Sequence, residues 1–136
     1  MQISDEELHA KGFTRGGTVV YIDAPRLFRV DIDTDVQGYA VYIMRVNGEY
    51  MKGGQTGNGR MRFKHRMSNS FNCLRKVIAG GEPYVGDPWK RYAPFTILAK
   101  QEVELWVKRH ATKDGMAADE DALNRFYKGK WTKEGS

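Results

Sequence analysis

A single cysteine, Cys73, stands among the 136 residues, so no disulfide can form within the chain. No Cys/His set has the spacing of a zinc site either. No apolar run approaches the roughly 20 residues needed to cross a bilayer, which argues against a membrane-spanning helix. The first residues, MQISDEELHAK, are acidic and polar where a signal peptide would be basic and then apolar, and this predicts an intracellular, cytoplasmic protein. Internal repeats and low-complexity stretches are also missing. Acids are absent from one region in particular. Between Arg60 and Lys76 stand Arg60, Arg62, Lys64, His65, Arg66, Arg75 and Lys76, with no Asp or Glu.

What is present fits one soluble domain. Hydrophobic residues make up 40% and charged residues 29% of the chain, enough apolar material for one core. Lys and Arg total 22 against 17 Asp and Glu, a net charge of +5 that favours a polyanionic partner. A basic run is often no more than a solvated helix face. An acid-free run of this length points instead to phosphate binding.

Residues 1–37 read as an extension. A short helix is expected before Lys11, then strands at 18–22 and 27–32, which are rich in β-branched and aromatic residues. Residues 38–136 read as the main domain. A strand at 39–46 meets Asn47-Gly48, the strongest short-range hairpin signal, and 49–53 returns as its partner before Gly53-Gly54 ends it. Helices are expected at 60–67 and 71–79, a loop over 82–93, a third strand at 94–99, a helix at 101–111 and a last helix from about Ala117. This order implies an α+β domain with a small antiparallel or mixed three-stranded sheet flanked by helices.

The order of several motifs resembles the GIY-YIG nuclease superfamily. Ala40-Val41-Tyr42 and Lys52-Gly53-Gly54-Gln55-Thr56 are similar to its two paired strands. Arg62-Phe63-Lys64-His65-Arg66 stands where that family carries its arginine helix. Glu120-Asp121-Ala122-Leu123 and Lys128-Gly129-Lys130-Trp131-Thr132 are similar to its acidic helix and closing motif. The likeness spans residues 39 to about 133. The chain departs from the pattern where Lys52 takes the place of the second tyrosine, Thr132 of an asparagine and Gly129 of a proline.

The resemblance implies a DNA endonuclease that uses one divalent cation, Mg²⁺ or Mn²⁺. Tyr42 would activate water, Arg62 would steady the scissile phosphate, and Glu120 would hold the metal, with Arg66, His65 and Lys52 assisting. The residue chemistry is compatible with those roles. Cutting a phosphodiester needs a base for water, a cation against the phosphate and help for the leaving oxygen. A phenol near cations has its ionised form favoured. An arginine fork suits phosphate oxygens, and Arg62 and Arg66 share a helix face at i,i+4 with no acid nearby in sequence. Mg²⁺ is satisfied by few carboxylates, several waters and phosphate oxygens.

Plainer readings stand beside these. Tyr42 fits a packed strand tyrosine, and Asp119, Glu120 and Asp121 fit a helix N-terminus that compensates its dipole. Glu102 and Glu104 are fallback metal ligands. A two-residue turn at Asn47-Gly48 pairs Ile43 with Lys52 and turns Lys52 away from Tyr42. Either a bulge near Gly53-Gly54 re-aims it, or Lys52 is not catalytic. Lys90 and Arg91, interleaved with Trp89 and Tyr92, extend the DNA-binding set of Arg60, Arg62, Lys64 and Arg66. Cys73 reads as a small buried hydrophobe. The resemblance implies DNA as the partner, with specificity supplied by the domain's own loops, the extension or a homodimer, or absent altogether. The main alternative is a nucleic-acid-binding module of the same fold without turnover, and a purely structural domain is a third.

Overall fold

The computed structural model describes residues 1–80 and 86–136. Its elements in chain order are α1 (Asp5–Ala10), β1 (Thr14–Tyr21), β2 (Phe28–Ile32), β3 (Ala40–Val46), β4 (Glu49–Gln55), α2 (Phe63–Gly80), α3 (Pro88–Leu98), β5 (Val103–Arg109) and α4 (Lys113–Tyr127). The strands form one sheet in the order β2-β1-β5-β3-β4, and every pairing is antiparallel. The α+β class is as expected, but the sheet is larger than three strands and is not mixed. Strand β5 lies between β1 and β3, so the two strands of the N-terminal extension join the same sheet as the Tyr42 strand.

Both faces of the sheet are covered. On one, Tyr42, Met44, Leu105 and Val107 pack with Phe63, Met67, Phe71 and Leu74 of α2 and with Trp89, Ala93 and Ile97 of α3. On the other, Val41, Ile43 and Trp106 meet Leu8 of α1 and Met116, Leu123 and Tyr127 of α4. Strand β3 is buried along its whole length as a result.

Three stretches differ from their expected form. The expected strand at 94–99 is the second half of α3. Asp87 accepts from the Trp89 N–H at its start, Pro88 opens it, and Trp89, Ala93 and Ile97 recur at helical spacing on the core face. The expected helix at 101–111 is β5. Val103, Leu105 and Val107 alternate onto one face and Trp106 takes the other, a period of two hidden beneath spacing that also suits a helix. The two expected helices from 60 to 79 are one, because Phe63, Met67, Phe71 and Leu74 form a single buried stripe. Of the expected loop over 82–93, residues 82–85 lie outside the described residues and those from Pro88 onward are helical. Cys73 is exposed on α2 rather than buried, since that stripe passes it on the opposite side.

Candidate active site

The site begins with the β3–β4 hairpin. Asn47 and Gly48 both have positive φ, 50° and 80°, as a two-residue turn of this kind requires. Val46 pairs with Glu49 and Arg45 with Tyr50, and then the register steps so that Met44 pairs with Lys52. Met51 is the extra residue of a bulge. The bulge occurs earlier than Gly53-Gly54, and it puts Lys52 on the Met44 and Tyr42 face. Tyr42 itself pairs with Gly54, and β4 runs through to Gln55 instead of stopping at the glycines.

Those glycines let the site close around the edge strand. A Cβ on Gly54 would fall inside the Tyr42 phenol, and one on Gly53 would meet the Tyr50 hydroxyl and the Asn124 side chain. Gly54→Ala therefore forces the Tyr42 ring off its seat. We expect it to lower melting temperature and abolish whatever activity depends on Tyr42, measured by thermal unfolding beside the activity assay.

Around the β4 edge, side chains from both helical layers converge. Arg66 of α2 and Glu120 of α4 both act on Tyr42 and on Lys52. Gln55 hydrogen-bonds Glu120 from the end of β4. A cleft of about 460 Å³ opens here, lined by Lys52, Asp87, Glu120, Asn124, Trp131 and Thr132 among others. Trp131 is its aromatic lining, and Trp131 meets edge-on at 5.2 Å the core residue Trp89, whose ring carries the Lys52 ammonium at 5.1 Å. The turn after α4 is fixed to the strand by Trp131 N–H donating to the Met51 carbonyl at 3.0 Å.

Burial dominates the electrostatics. It pushes the Tyr42 phenol above its ordinary value, although Arg66 and a hydrogen bond from Ser70 pull it down. The expectation that nearby cations would favour the phenolate is outweighed by desolvation. Burial lowers the Lys52 ammonium, against the pull of Asp87 and Glu120. It also raises the Glu120 carboxyl, against Gln55, Lys52 and Arg66. Glu120 Oε2 is buried with no hydrogen-bond partner. A cleft carboxylate with one orphaned oxygen suits a hard cation that completes its shell with water and phosphate oxygens. Among the described residues no cluster of three or more His, Cys, Asp or Glu could hold a metal, so a cage made by protein alone is not available.

The other expected residues are spread more widely. Arg62, just before α2, is drawn to Asp35 and Gln37 of the extension, so the expectation of no acid nearby does not hold. Arg60, Lys64 and His65 are exposed around the same helix start, and Arg91 is exposed on α3 with Lys90 half-buried beside it. Trp89 is core, which removes it from any base-stacking role. Arg75 donates to the carbonyls of Arg26 and Phe28 and lies over the Phe28 ring, fastening α2 to β2.

The three acids of α4 separate. Asp119 binds His110 at 2.8 Å and Lys108 at 3.4 Å, Asp121 pairs with Arg125, and only Glu120 turns to the cleft. Because α4 starts at Lys113, capped by Thr112, these acids sit in mid-helix, and dipole compensation does not explain them. Glu102 and Glu104 bind Arg15, and Glu104 also binds the buried Arg45, so neither is free as a fallback ligand.

Sequence reasoning missed Asn124, Gln55 and Asp87. Asn124 is buried, accepts from the Tyr50 hydroxyl at 2.6 Å and the Gly53 N–H at 2.9 Å, and donates to the Gly53 carbonyl at 3.1 Å. Its one visible signal is its place one turn beyond Glu120 on the same helix face.

At the level of sequence, no family model and no curated relative matches the chain. Solved structures do share its fold. A mutant of bacteriophage T4 EndoII superposes with a TM-score of 0.61 at 14% identity, over 93% of this chain and 97% of that one. The restriction endonuclease Hpy188I, in complex with product DNA, superposes with a TM-score of 0.56 at 13% identity, over 94% of this chain and 80% of that one. The fold of this chain is thus one found in a phage and a restriction endonuclease.

Proposed function

We propose that this chain is a metal-dependent DNA endonuclease of the GIY-YIG type. The observation that carries the reading is the mutual electrostatic contact of Tyr42, Lys52, Arg66 and Glu120, drawn from β3, β4 and both helical layers, with Lys52 and Glu120 lining one polar cleft. The shared fold with two endonucleases supports it. DNA approaches across the exposed starts of α2 and α3, where Arg60, Arg62, Lys64 and Arg91 present positive charge.

Each residue has a definite task. Tyr42 hydrogen-bonds the attacking water and takes its proton. Arg66 draws the phosphate toward Tyr42 with a fixed, planar charge. Glu120, which keeps one oxygen without a partner in the protein, would hold one divalent cation, Mg²⁺ or Mn²⁺. When bound, that ion supplies Lewis-acid neutralisation of charge on the departing oxygen. Lys52, seated on Trp89, excludes water from the base of the cleft and offsets the charge of Glu120.

A base whose pKa is raised is mostly protonated near neutrality. Cleavage should therefore accelerate with pH through the neutral and alkaline range, about tenfold per unit while the base titrates. One observation favours a second assignment of the proton: burial brings Lys52 down as it takes Tyr42 up. The test is nicking of supercoiled plasmid with Mg²⁺ or Mn²⁺ across pH, comparing wild type with Tyr42→Phe, Lys52→Met and Arg66→Ala. If Tyr42 is the base, Tyr42→Phe removes both the cutting and its pH dependence. If Lys52 is the base, Lys52→Met does so and Tyr42→Phe leaves a slower reaction with the same pH profile. Salt-sensitive DNA binding without any cutting would instead identify a binding module of this fold.

A further inference from the structure

We propose that Asp35 is the positioning residue for Arg62, a task that places the N-terminal extension inside the DNA-cutting machinery. The inference rests on the nuclease reading above. Asp35 Oδ2 accepts from Arg62 Nε at 2.7 Å, and Gln37 Oε1 accepts from one terminal nitrogen of the same guanidinium at 2.9 Å. The fork is held by its Nε edge and one end, which leaves its other terminal nitrogen for a phosphate oxygen.

The clamp is itself clamped. The other carboxylate oxygen of Asp35 accepts from the Lys64 N–H at 2.9 Å, in the first turn of α2. The Phe63 N–H donates to the Val36 carbonyl at 3.0 Å. Upstream, the N–H groups of Asp33 and Thr34 both donate to the Gly16 carbonyl of β1, at 2.8 and 3.2 Å. Downstream, the Thr56 hydroxyl donates to the Gly38 carbonyl at 2.9 Å and accepts from the Ala40 N–H at 3.0 Å. Residues 33–40 are thus pinned at both ends and in the middle, and Asp35 is held where Arg62 must come to it.

Stability does not account for this arrangement. The Arg62 side chain is 55% exposed and that of Asp35 25%, and such a surface pair contributes little to folding. A long, exposed arginine loses affinity for a phosphate when it must first be ordered, so a pre-formed clamp improves both binding and orientation. Asp35 remains ionised through the neutral range. Burial alone would raise its carboxyl, but hydrogen bonds from Arg62 and from the Lys64 and Val36 N–H groups hold it below the usual range.

The discriminating variant is Asp35→Asn. One oxygen remains to cap the Lys64 N–H, while an NH₂ group now opposes the guanidinium, so the helix start survives and the clamp does not. The expected result is a melting temperature near that of wild type with plasmid cleavage about tenfold slower. Arg62→Ala should fall at least as far, and Asp35→Asn/Arg62→Ala no further than Arg62→Ala alone. The Arg62 Nε–H resonance, resolved in wild type by NMR, should move and broaden in Asp35→Asn. Losses that multiply in the double variant, or Asp35→Asn that binds and cuts as well as wild type or better, would overturn the proposal. In the last case the carboxylate would be competing with phosphate. Its failure is separable from that of the nuclease reading. If wild type cuts nothing, yet the variants weaken salt-sensitive binding of a short duplex without additivity, the clamp stands and the nuclease reading falls. If wild type cuts and the losses are independent, the reverse holds.

Discussion

Glu120→Gln is expected to slow plasmid cleavage by roughly a thousandfold while leaving the protein at least as stable as wild type near neutral pH. The activity loss follows from removing the cleft carboxylate that keeps a buried, unpartnered oxygen, a loss of several kcal/mol of transition-state charge stabilisation. The stability result follows from the direction of the Glu120 shift. Its carboxyl is raised on folding, by burial above all, so the folded protein holds that proton more tightly than the unfolded chain does. Such a group weakens the folded state as pH rises from the ordinary carboxylate value through the raised one, and above that it exacts its full penalty. Glutamine removes the penalty. Melting curves of the two proteins should therefore converge as pH falls through the carboxylate range and separate, with the variant higher or equal, as it rises. Added MgCl₂ should raise the melting temperature of wild type and leave Glu120→Gln unmoved. A variant that responds to Mg²⁺ as wild type does would move the cation elsewhere in the cleft, where Asp87 and Glu134 are the other lining carboxylates.

Asn124→Leu carries the largest expected cost in stability. Leucine matches the volume, yet it strands the Gly53 N–H, the Gly53 carbonyl and the Tyr50 hydroxyl in a buried setting. Each such orphan costs about 1–3 kcal/mol, and with partial relaxation we expect about 3–4 kcal/mol in all. That corresponds to a fall in melting temperature on the order of 10 °C. The loss should also reach activity. Gly53 lies between Lys52 and the Gly54 seat of Tyr42, so a freed strand edge misplaces both side chains. Cleavage by the folded fraction, measured well below the melting point, should drop together with stability. Tyr50→Phe, which removes one of the three bonds and leaves Gly53 held, should cost only about 1 kcal/mol and keep most of the activity.

The parts of this molecule that were legible are those specified by neighbours in sequence. Asn47-Gly48 demands its turn because both residues must take positive φ, and the strands on either side follow from it. The α4 pattern is likewise local, though its start was not. Thr112 caps it earlier than expected, and that shift alone turns three clustered acids from a dipole device into residues with three different partners. Where local patterns fit two answers, the reading failed. The apolar residues of 94–109 suit either a helix or a strand, and the decision came from the Asp87 cap and from which face each residue could bury.

The site divides in the same way. Tyr42, Lys52, Arg66 and Glu120 could be named from motif order, because their spacing in sequence survives in the chain as written. Their meeting could not be read there. It depends on a bulge at Met51 that no turn signal announces, and on β4 being the outermost strand of the sheet, around which side chains of α2 and α4 approach. Asn124 and Asp87 had no motif to mark them, and Gln55 stood inside one without a role, since each acts through a partner distant in sequence. Asp35 illustrates the limit, lying 27 residues from the arginine it binds. By itself the sequence determined a basic α+β chain, one hairpin and a short list of reactive side chains, because those depend on composition and near neighbours. Only the tertiary structure decided that the extension joins the sheet, which cations are already paired, and which of the three acids of α4 faces the cleft. Those outcomes belong to long-range pairing and desolvation, which take their values from burial that no local window of residues contains.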